Sequence, residues 1–313
     1  MIDTDQLAAS VRLAPCARPP GKPAGYHCWH DLLFVHWRLS PEVLRPFVPA
    51  ALELDTWEGD AWLGIVAFRM SGVRPRWFPA LPGVSAFAET NLRTYVHHQG
   101  QAPGVLFLSL DAAHRLAVRI ARWRWRLPYY FARMGVAKVG GRVEYRSSRN
   151  SQSGQGRTNL AARLLAEPVA SAPGFAQLAT EPAASAPGFF ARPLPDGRGS
   201  VVGAKPVASA PVSAHSRRPV IAPRPAAPGT LEFFLAERYF MYVPGLTSRR
   251  DEVRRGQVHH SPYELVPAEL LVAEESLSTA AGLPDLPTPS HAMYSAGVSV
   301  EVFPLKRLER GKA

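Results

Sequence analysis

The hydrophobic pattern of the chain is mostly that of short strands. Asp31 to Leu39 (DLLFVHWRL) is an apolar, β-branched and aromatic run that stops at Ser40-Pro41. Ser40 can cap a short helix with Pro41 in its first position and Val43, Leu44 and Phe47 along one face. Leu52 to Trp57 and Ala61 to Met70 flank the turn-forming triplet Glu58-Gly59-Asp60 and predict a hairpin. Ala88 to His97 alternates, with Thr90, Leu92, Thr94 and Val96 on one face and Glu89, Asn91, Arg93 and Tyr95 on the other. After turns at Gly100 and Pro103-Gly104, Val105 to Leu110 continues as a strand. A helix is predicted from Asp111, as its cap, through Ala121, because the stretch holds Leu116, Val118 and Ile120 without glycine or proline. Strands follow over Trp123 to Tyr130 and Gly141 to Arg146, and one long strand or a pair over Gly229 to Val243. A helix over Pro267 to Ala281, ended by Gly282, and a last strand over Ala292 to Phe303 complete the pattern. Helices do not alternate regularly with strands, which disfavours a doubly wound parallel sheet. The expected class is mainly β (α+β): an antiparallel β-barrel with a few helices packed outside.

One segment breaks the pattern. Between Ser147 and Pro228 there is no tryptophan or tyrosine, and EPVASAPGF at Glu167 returns as EPAASAPGF at Glu181 and KPVASAP at Lys205. Such a composition buries too little apolar area to offset chain ordering, so residues 150–227 are expected to be a low-complexity, disordered insertion. Residues 25–149 and 228–308 then form one discontinuous domain, preceded by a flexible extension over 1–24. A proline-rich partner motif could rest only on Arg217 to Pro225. Gly197, Gly199 and Gly203 miss the spacing of a dinucleotide fingerprint.

Charge changes the picture little. The formal net charge is +11, and nine basic against three acidic residues between Ser147 and Pro228 hold +6 of it. The rest is spread thinly, and no nucleic-acid reading module occurs, so no specific nucleic-acid partner is expected. Cys16 and Cys28 are too few for a disulfide framework. The N-terminus MIDTDQLAASVRLAPC lacks the apolar run of a leader, and no stretch of about 18 apolar residues occurs. These features predict a cytoplasmic protein with no membrane span. His27, Cys28, His30 and Cys16 fit no zinc spacing, and the adjacent pairs His97-His98 and His259-His260 point to opposite strand faces. No metal and no cofactor is expected.

Six blocks in order carry a resemblance: HDLLFVHWRLSPEVLRPFVP, LELDTWEGDAWLGIVAFRMSGVRPR, ETNLRTYV, PGVLFLSLDA, AR-x₄-LPYY and PGTLEFFLAERYFMY. Together they resemble the uncharacterised bacterial YqjF-like family, a domain of unknown function in the acetoacetate decarboxylase-like superfamily. The resemblance covers about Gly25 to Leu308 apart from the insertion, and it implies a double-sheet β-barrel with a central cavity but no established activity. In acetoacetate decarboxylase, a buried lysine after a proline forms a Schiff base with a β-keto acid, and a neighbouring lysine lowers its pKa. The aligned place here is Pro128-Tyr129-Tyr130, with Arg122 earlier on the segment. Tyrosine has no amine, and Lys138, the nearest lysine, lies among Gly135, Gly140 and Gly141 and reads as loop.

The remaining polar residues define the candidate site. Glu89 and Tyr129 are the candidates for chemistry, as general acid/base and as hydrogen-bond donor to a carbonyl oxygen. Arg93, four residues from Glu89 and on its face, can hold a carboxylate bidentately. Arg122, Tyr130, Glu232 and Arg238 are the further candidate ligand contacts, Glu232 and Arg238 through shared strand parity. Against this stands an outer-face Glu89–Arg93 ion pair with Tyr129 as core packing. The functional expectation is a cavity for a carboxylate- or carbonyl-bearing small organic molecule. The alternative is a lyase or hydrolase with Glu89 as acid/base and Arg93 as anion clamp.

Overall fold

A computed structural model describes residues 7–125, 127–149, 156–165, 222–244 and 252–308. Its strands are β1 (Gly25–Leu39), β2 (Glu53–Leu54), β3 (Ala61–Pro75), β4 (Phe87–His98), β5 (Gln101–Ala112), β6 (Tyr129–Val139), β7 (Arg142–Arg149) and β8 (Arg157–Leu164). They continue with β9 (Arg224–Pro225), β10 (Phe240–Pro244), β11 (Val253–His259), β12 (Glu264–Glu275), β13 (His291–Val302) and β14 (Lys306–Arg307). The helices are short: α1 (Ala9–Leu13), α2 (Pro41–Leu44), α3 (Arg115–Ile120), α4 (Leu231–Ala236) and α5 (Leu277–Ala280).

The strands join in the order β14-β11-β10-β5-β6-β7-β8-β12-β13-β1-β3-β4-β2, and a β4–β5 pairing closes β5 through β4 into a ring. A further β11–β13 pairing closes a second ring through β10 and β5. Most pairs are antiparallel, with β5–β6 and β5–β10 parallel. Of the strands shared by both rings, β1, β3, β4, β5 and β13, the central parts of β1, β3, β4 and β13 are covered on both sides. Leu33, Val35, Trp37, Leu63, Ile65, Leu92 and Tyr294 pack on one side against Val143, Tyr145, Leu160, Ala162, Val266 and Leu277. Leu32, Phe34, Trp62, Val66, Phe68, Tyr95 and Met293 pack on the other against Phe234, Leu235, Ala236, Val258 and Tyr263. Burial on both sides explains why β1 and β3 read as continuous apolar runs instead of alternating.

Where local pattern and structure differ, tertiary contacts decide. Asp111 does not cap a helix: it ends β5 with its carboxylate taken by Arg149, and α3 starts after His114, whose Nδ1 accepts from the Ala117 amide at 3.1 Å. The expected strand at Trp123 is a wide π-helical turn over Ala121–Trp125, and β6 begins at Tyr129. Leu231–Ala236 is a buried helix capped by the Thr230 hydroxyl, not a strand; its apolar residues sit in the core on all sides, so periodicity could not distinguish the two. Conversely, most of the expected helix over Pro267–Ala281 is β12, held between β8 and β13, and only α5 before Gly282 is helical. Glu58 and Gly59 do form the tight turn between Trp57 and Asp60, with positive φ at both, but β2 pairs with β4 rather than β3.

Two expected boundaries move. Residues 157–164, placed by composition in the insertion, are β8, with Leu160 and Ala162 fully buried between β7 and β12. TNLAA carries enough apolar alternation for a central strand, and it belongs to the core rather than to the repeats that follow it. Residues 166–221 lie outside the described residues. The extension over 1–24 is likewise docked from its first described helix, since Arg12 is buried in an ion pair with Asp55 at 2.8 Å.

Leu160→Ala is expected to lower stability by about 2–5 kcal/mol in urea unfolding. A deletion spanning 150–222 should abolish the cooperative transition, because it removes the strand joining β7 to β12. An unchanged melting temperature for that deletion would restore the inert-insertion reading of residues 157–164.

Candidate functional site

The register places a row of residues across the face that packs on α4. His291 on β13 stands opposite His36 on β1, His36 opposite Gly64 on β3, Gly64 opposite Arg93 on β4, and Arg93 opposite Phe107 on β5. Gly64 leaves the middle of the row open, since a Cβ there would lie 3.0 Å from the His36 ring and 3.2 Å from the Tyr95 hydroxyl. The Tyr95 hydroxyl donates to the Leu235 carbonyl at 3.0 Å and lies 2.9 Å from His36 Nε2. Its single proton is thus committed, so His36 Nε2 must carry the proton between them and Nδ1 is a bare lone pair. Burial, then the nearby His291 and Arg93, keeps His36 neutral, with its pKa well below the usual histidine range. Among the described residues, His36 Nδ1 has no partner.

Arg93 is the unusual member of the row. It is 8% exposed, and Nη2 donates to the Leu235 carbonyl at 3.1 Å while the guanidinium lies over the rings of Phe34 and Tyr95. Its Nε has no partner, and it forms no ion pair with a described acid. A buried cation without a counter-charge is costly, and the ring faces only partly offset that cost.

Arg238 shows the contrasting case. Its Nη1 donates to Asp55 at 2.5 Å, Arg12 grips the same carboxylate at 2.8 and 2.9 Å, and Arg238 also donates to the Phe234 carbonyl. Burial opposes ionisation of Asp55, but the two guanidiniums outweigh it and hold its pKa below the ordinary value. Arg238 therefore clamps the N-terminal segment and the end of α4. It does not share a strand with Glu232, which lies on α4 with its carboxylate 3.6 Å from His291.

Glu89 is buried at the other end of the same face of β4 and accepts from the Tyr129 hydroxyl at 2.7 Å. Burial pushes its pKa up to about 7, against the hydrogen bond from Tyr129 and with the charge of Asp111 adding to the rise. Tyr129 stays protonated, its pKa raised by burial and by the neighbouring carboxylate. The pair can therefore hold or move a proton near neutral pH. Sequence reasoning put Glu89 with Arg93, and the structure instead joins Glu89 to Tyr129 and Arg93 to α4. Four residues of strand separate them by about 13 Å.

Tyr130 faces a different partner: Arg149, whose guanidinium lies 4.0 Å over its ring while bound to Asp111 at 2.7 Å and Ser109 at 2.9 Å. Arg122 is exposed on the π-helical turn, away from the others. Lys138 is on β6, not in a loop; Gly140 and Gly141, with positive φ, form the turn of the β6–β7 hairpin just beyond it. Its ammonium donates to the Tyr294 hydroxyl at 2.8 Å and to Asp31 at 3.3 Å. Asp31 sits at a β1 bulge with φ of +50° and also accepts from Tyr294 at 2.6 Å and from Arg69.

Two surface grooves flank this interior. One, of about 670 Å³, runs between β12 and the segment entering β13, with Leu270, Ala273, Leu286, Ser290 and His291 in its wall. The other, of about 630 Å³, is lined by Leu116, Arg119, Ile120, Arg122 and Trp123. Glu89, Arg93 and Tyr129 line neither, but His291 belongs both to the first groove and to the row. No group of three or more metal-ligating side chains occurs among the described residues, and none of their helices is long and apolar enough to cross a membrane.

His36, Gly64 and Tyr95 were missed by sequence reasoning. A histidine inside the apolar run LLFVHW and a glycine inside WLGIVAF were the available signals, since each interrupts a strand otherwise buried on both sides.

Glu89 makes stability depend on pH. Its folded pKa, about 7, lies above the ordinary 4.5, so the folded protein holds this proton longer than the unfolded chain. Stability from this group is then lost as pH rises from about 4.5 to about 7, on the order of 3 kcal/mol. Glu89→Gln should cancel that loss, and urea unfolding of both proteins at about pH 4.5 and pH 8 measures it. A parent-to-variant difference independent of pH would place the Glu89 pKa near its ordinary value.

Similarity to known proteins agrees with this architecture. The family model DUF2071, described as an uncharacterized conserved protein, matches residues 27–184 and 196–299. The uncharacterized protein YqjF of Bacillus subtilis (strain 168) is 32% identical over 281 residues, covering 89% of this chain and 90% of that protein. A structure of acetoacetate decarboxylase superposes with a TM-score of 0.51 at 10% identity, over 94% of this chain and 92% of the other. An acetoacetate decarboxylase-like enzyme from Sphingomonas wittichii RW1 gives 0.50 at 14% identity, over 92% and 94%. At such identities the likeness concerns the fold alone. The chain is a member of the DUF2071 (YqjF-like) family and has the acetoacetate decarboxylase-like fold.

Proposed function

We propose that this protein binds a small organic molecule bearing a carboxylate, or a carboxylate beside a carbonyl, with Arg93 as the anion anchor. The observation that carries the reading is the buried Arg93 guanidinium, which has one carbonyl acceptor, a free Nε and no acid among the described residues. A ligand carboxylate supplies the missing charge and a bidentate partner. His36 Nδ1 and the indole N–H of Trp62, both buried on the same face without a partner, add one acceptor and one donor for a hydroxyl or carbonyl. The apolar surround of Phe34, Val66, Phe234 and Tyr263 fits a short carbon skeleton.

A lysine imine plays no part in this proposal. Tyr129 and Tyr130 stand where the resemblance places the lysine pair, and the Lys138 ammonium is engaged by Asp31 and Tyr294. The second reading, a lyase or hydrolase with Glu89 as general acid/base, is favoured by one observation: a buried carboxyl with a pKa of about 7 in contact with a phenol. It requires a substrate long enough to reach from Arg93 to Glu89, or a shift of one toward the other.

Thermal-shift titration with short keto and hydroxy acids, each paired with its neutral amide, tests the binding reading. An acid should raise the melting temperature, and Arg93→Met should weaken its binding by about 10- to 100-fold, the worth of a charged hydrogen bond. The amide should bind weakly and equally to both proteins. Equal weakening of acid and amide by Arg93→Met would remove the anion-anchor role.

A further inference from the structure

The surface of α3 carries a second kind of chemistry, unrelated to the interior. From Arg115 the helix and its π-helical continuation present three stripes. Val118 and Ala121 are buried against the body of the protein. Leu116, Ile120 and Trp123 recur at intervals of four and three, and all are exposed, Trp123 at 81%. Arg115, Arg119 and Arg122 recur at the same intervals one position earlier and are exposed too. Two stripes of the same period, offset by one residue, lie about 100° apart around a helix, so an apolar edge and a cationic edge run side by side. Between them lies the groove of about 630 Å³ lined by Leu116, Arg119, Ile120, Arg122 and Trp123.

No described acid pairs with the charges on this surface. The sequence has no acidic residue between Asp111 and Glu144. Arg115 lies 4.4 Å over the Phe131 ring, while Arg119 and Arg122 pair with no described acid. On the β3–β4 connection Trp77 and Phe78 are exposed as well, 78% and 42%. That connection enters β4 at Phe87, whose ring packs against His114, the cap of α3. The β3–β4 connection thus adds exposed aromatic groups to a chain segment that meets the start of α3 at Phe87.

We propose that this surface is a docking site for an anionic phospholipid bilayer, held peripherally and without a spanning segment. Charge complementarity selects an acidic partner. The apolar edge selects a bilayer over a nucleic acid, because Leu116 and Ile120 offer nothing to phosphates or bases but gain from burial among acyl chains beside the headgroups. Trp123 suits the boundary itself, with an apolar ring and a polar N–H. Arginines lying next to that edge meet the headgroup phosphates bidentately. Recruitment to a charged surface would not require any change at Arg93 or Glu89, so the inference stands apart from the proposed ligand site.

Flotation of the full-length protein with vesicles tests it. Vesicles of phosphatidylcholine with about a quarter phosphatidylserine should carry the protein at low salt and release it at high salt. Vesicles of phosphatidylcholine alone should not carry it. R119E/R122E should lower the partition coefficient by about 25-fold or more, and I120S/W123S by about tenfold, with melting temperatures unchanged because all four residues are exposed. The basic and apolar pairs are separate variants, so a folding defect in one leaves the other to decide. Equal binding to both vesicle types, binding unaffected by R119E/R122E, or a dimer in solution that I120S/W123S dissociates would each overturn the proposal. So would duplex DNA displacing the vesicles while I120S/W123S retains full DNA binding.

Discussion

Burial of β1, β3, β4 and β13 on both faces is the constraint from which the interior chemistry follows. These strands are shared by the two rings, so most side chains along their central parts are buried on either face and find their partners inside. Buried acids in and beside these strands are held in local groups. Asp55 is held by Arg12 and Arg238, Asp111 by Arg149 and Ser147, and Asp31 by Arg69, Lys138 and Tyr294. Each group ties elements distant in sequence, so these acids serve the architecture. The same groups fix the N-terminal segment, the β5–β7 contact and the bulge of β1.

Set beside those satisfied groups, Arg93 and Glu89 stand out in opposite ways. Arg93 has no acid beside it among the described residues, whereas Glu89 avoids a buried charge by retaining its proton to about neutral pH. Both lie on one face of one strand, and both contact a neutral oxygen-bearing group in place of an ion, the Leu235 carbonyl and the Tyr129 phenol. A fold built only for stability gains nothing from either, since a matched ion pair or an apolar residue would serve better. Sites of this sort are more often found where a ligand or a proton completes the arrangement.

The sequence revealed much of this architecture because strands buried on both faces leave long apolar runs with turn residues between them. DLLFVHWRL and ETNLRTYV are strands for reasons visible locally. LEFFLAERY and PAELLVAEESL were misread in opposite directions: the first is apolar on every side, and the second has a helix-like spacing that pairing with β8 overrides. TNLAARL was hidden by the composition of its surroundings. At the site, Glu89 with Tyr129 could be named from strand parity and from the place of Tyr129 after Pro128. The separation of Glu89 from Arg93 could not, because parity gives the face and not the position along it. The row through His36 and Gly64 depends on four strands in register, and only pairing supplies that.

α4 is where these features meet. Its Leu235 carbonyl accepts from both Arg93 and Tyr95, and Tyr95 in turn fixes the tautomer of His36. Among the described residues, one neutral carbonyl and two ring faces meet the charge of Arg93, and a carboxylate is a stronger acceptor for the same guanidinium. Under the binding proposal, an anion reaching Arg93 competes with Leu235 and loosens one of the two bonds that hold the helix to β4. The Tyr95 bond and the Arg238–Asp55 ion pair just beyond the helix remain, so α4 stays anchored while its grip on Arg93 is released. At its other end α4 meets the same row again, since Glu232 lies 3.6 Å from His291 of the groove.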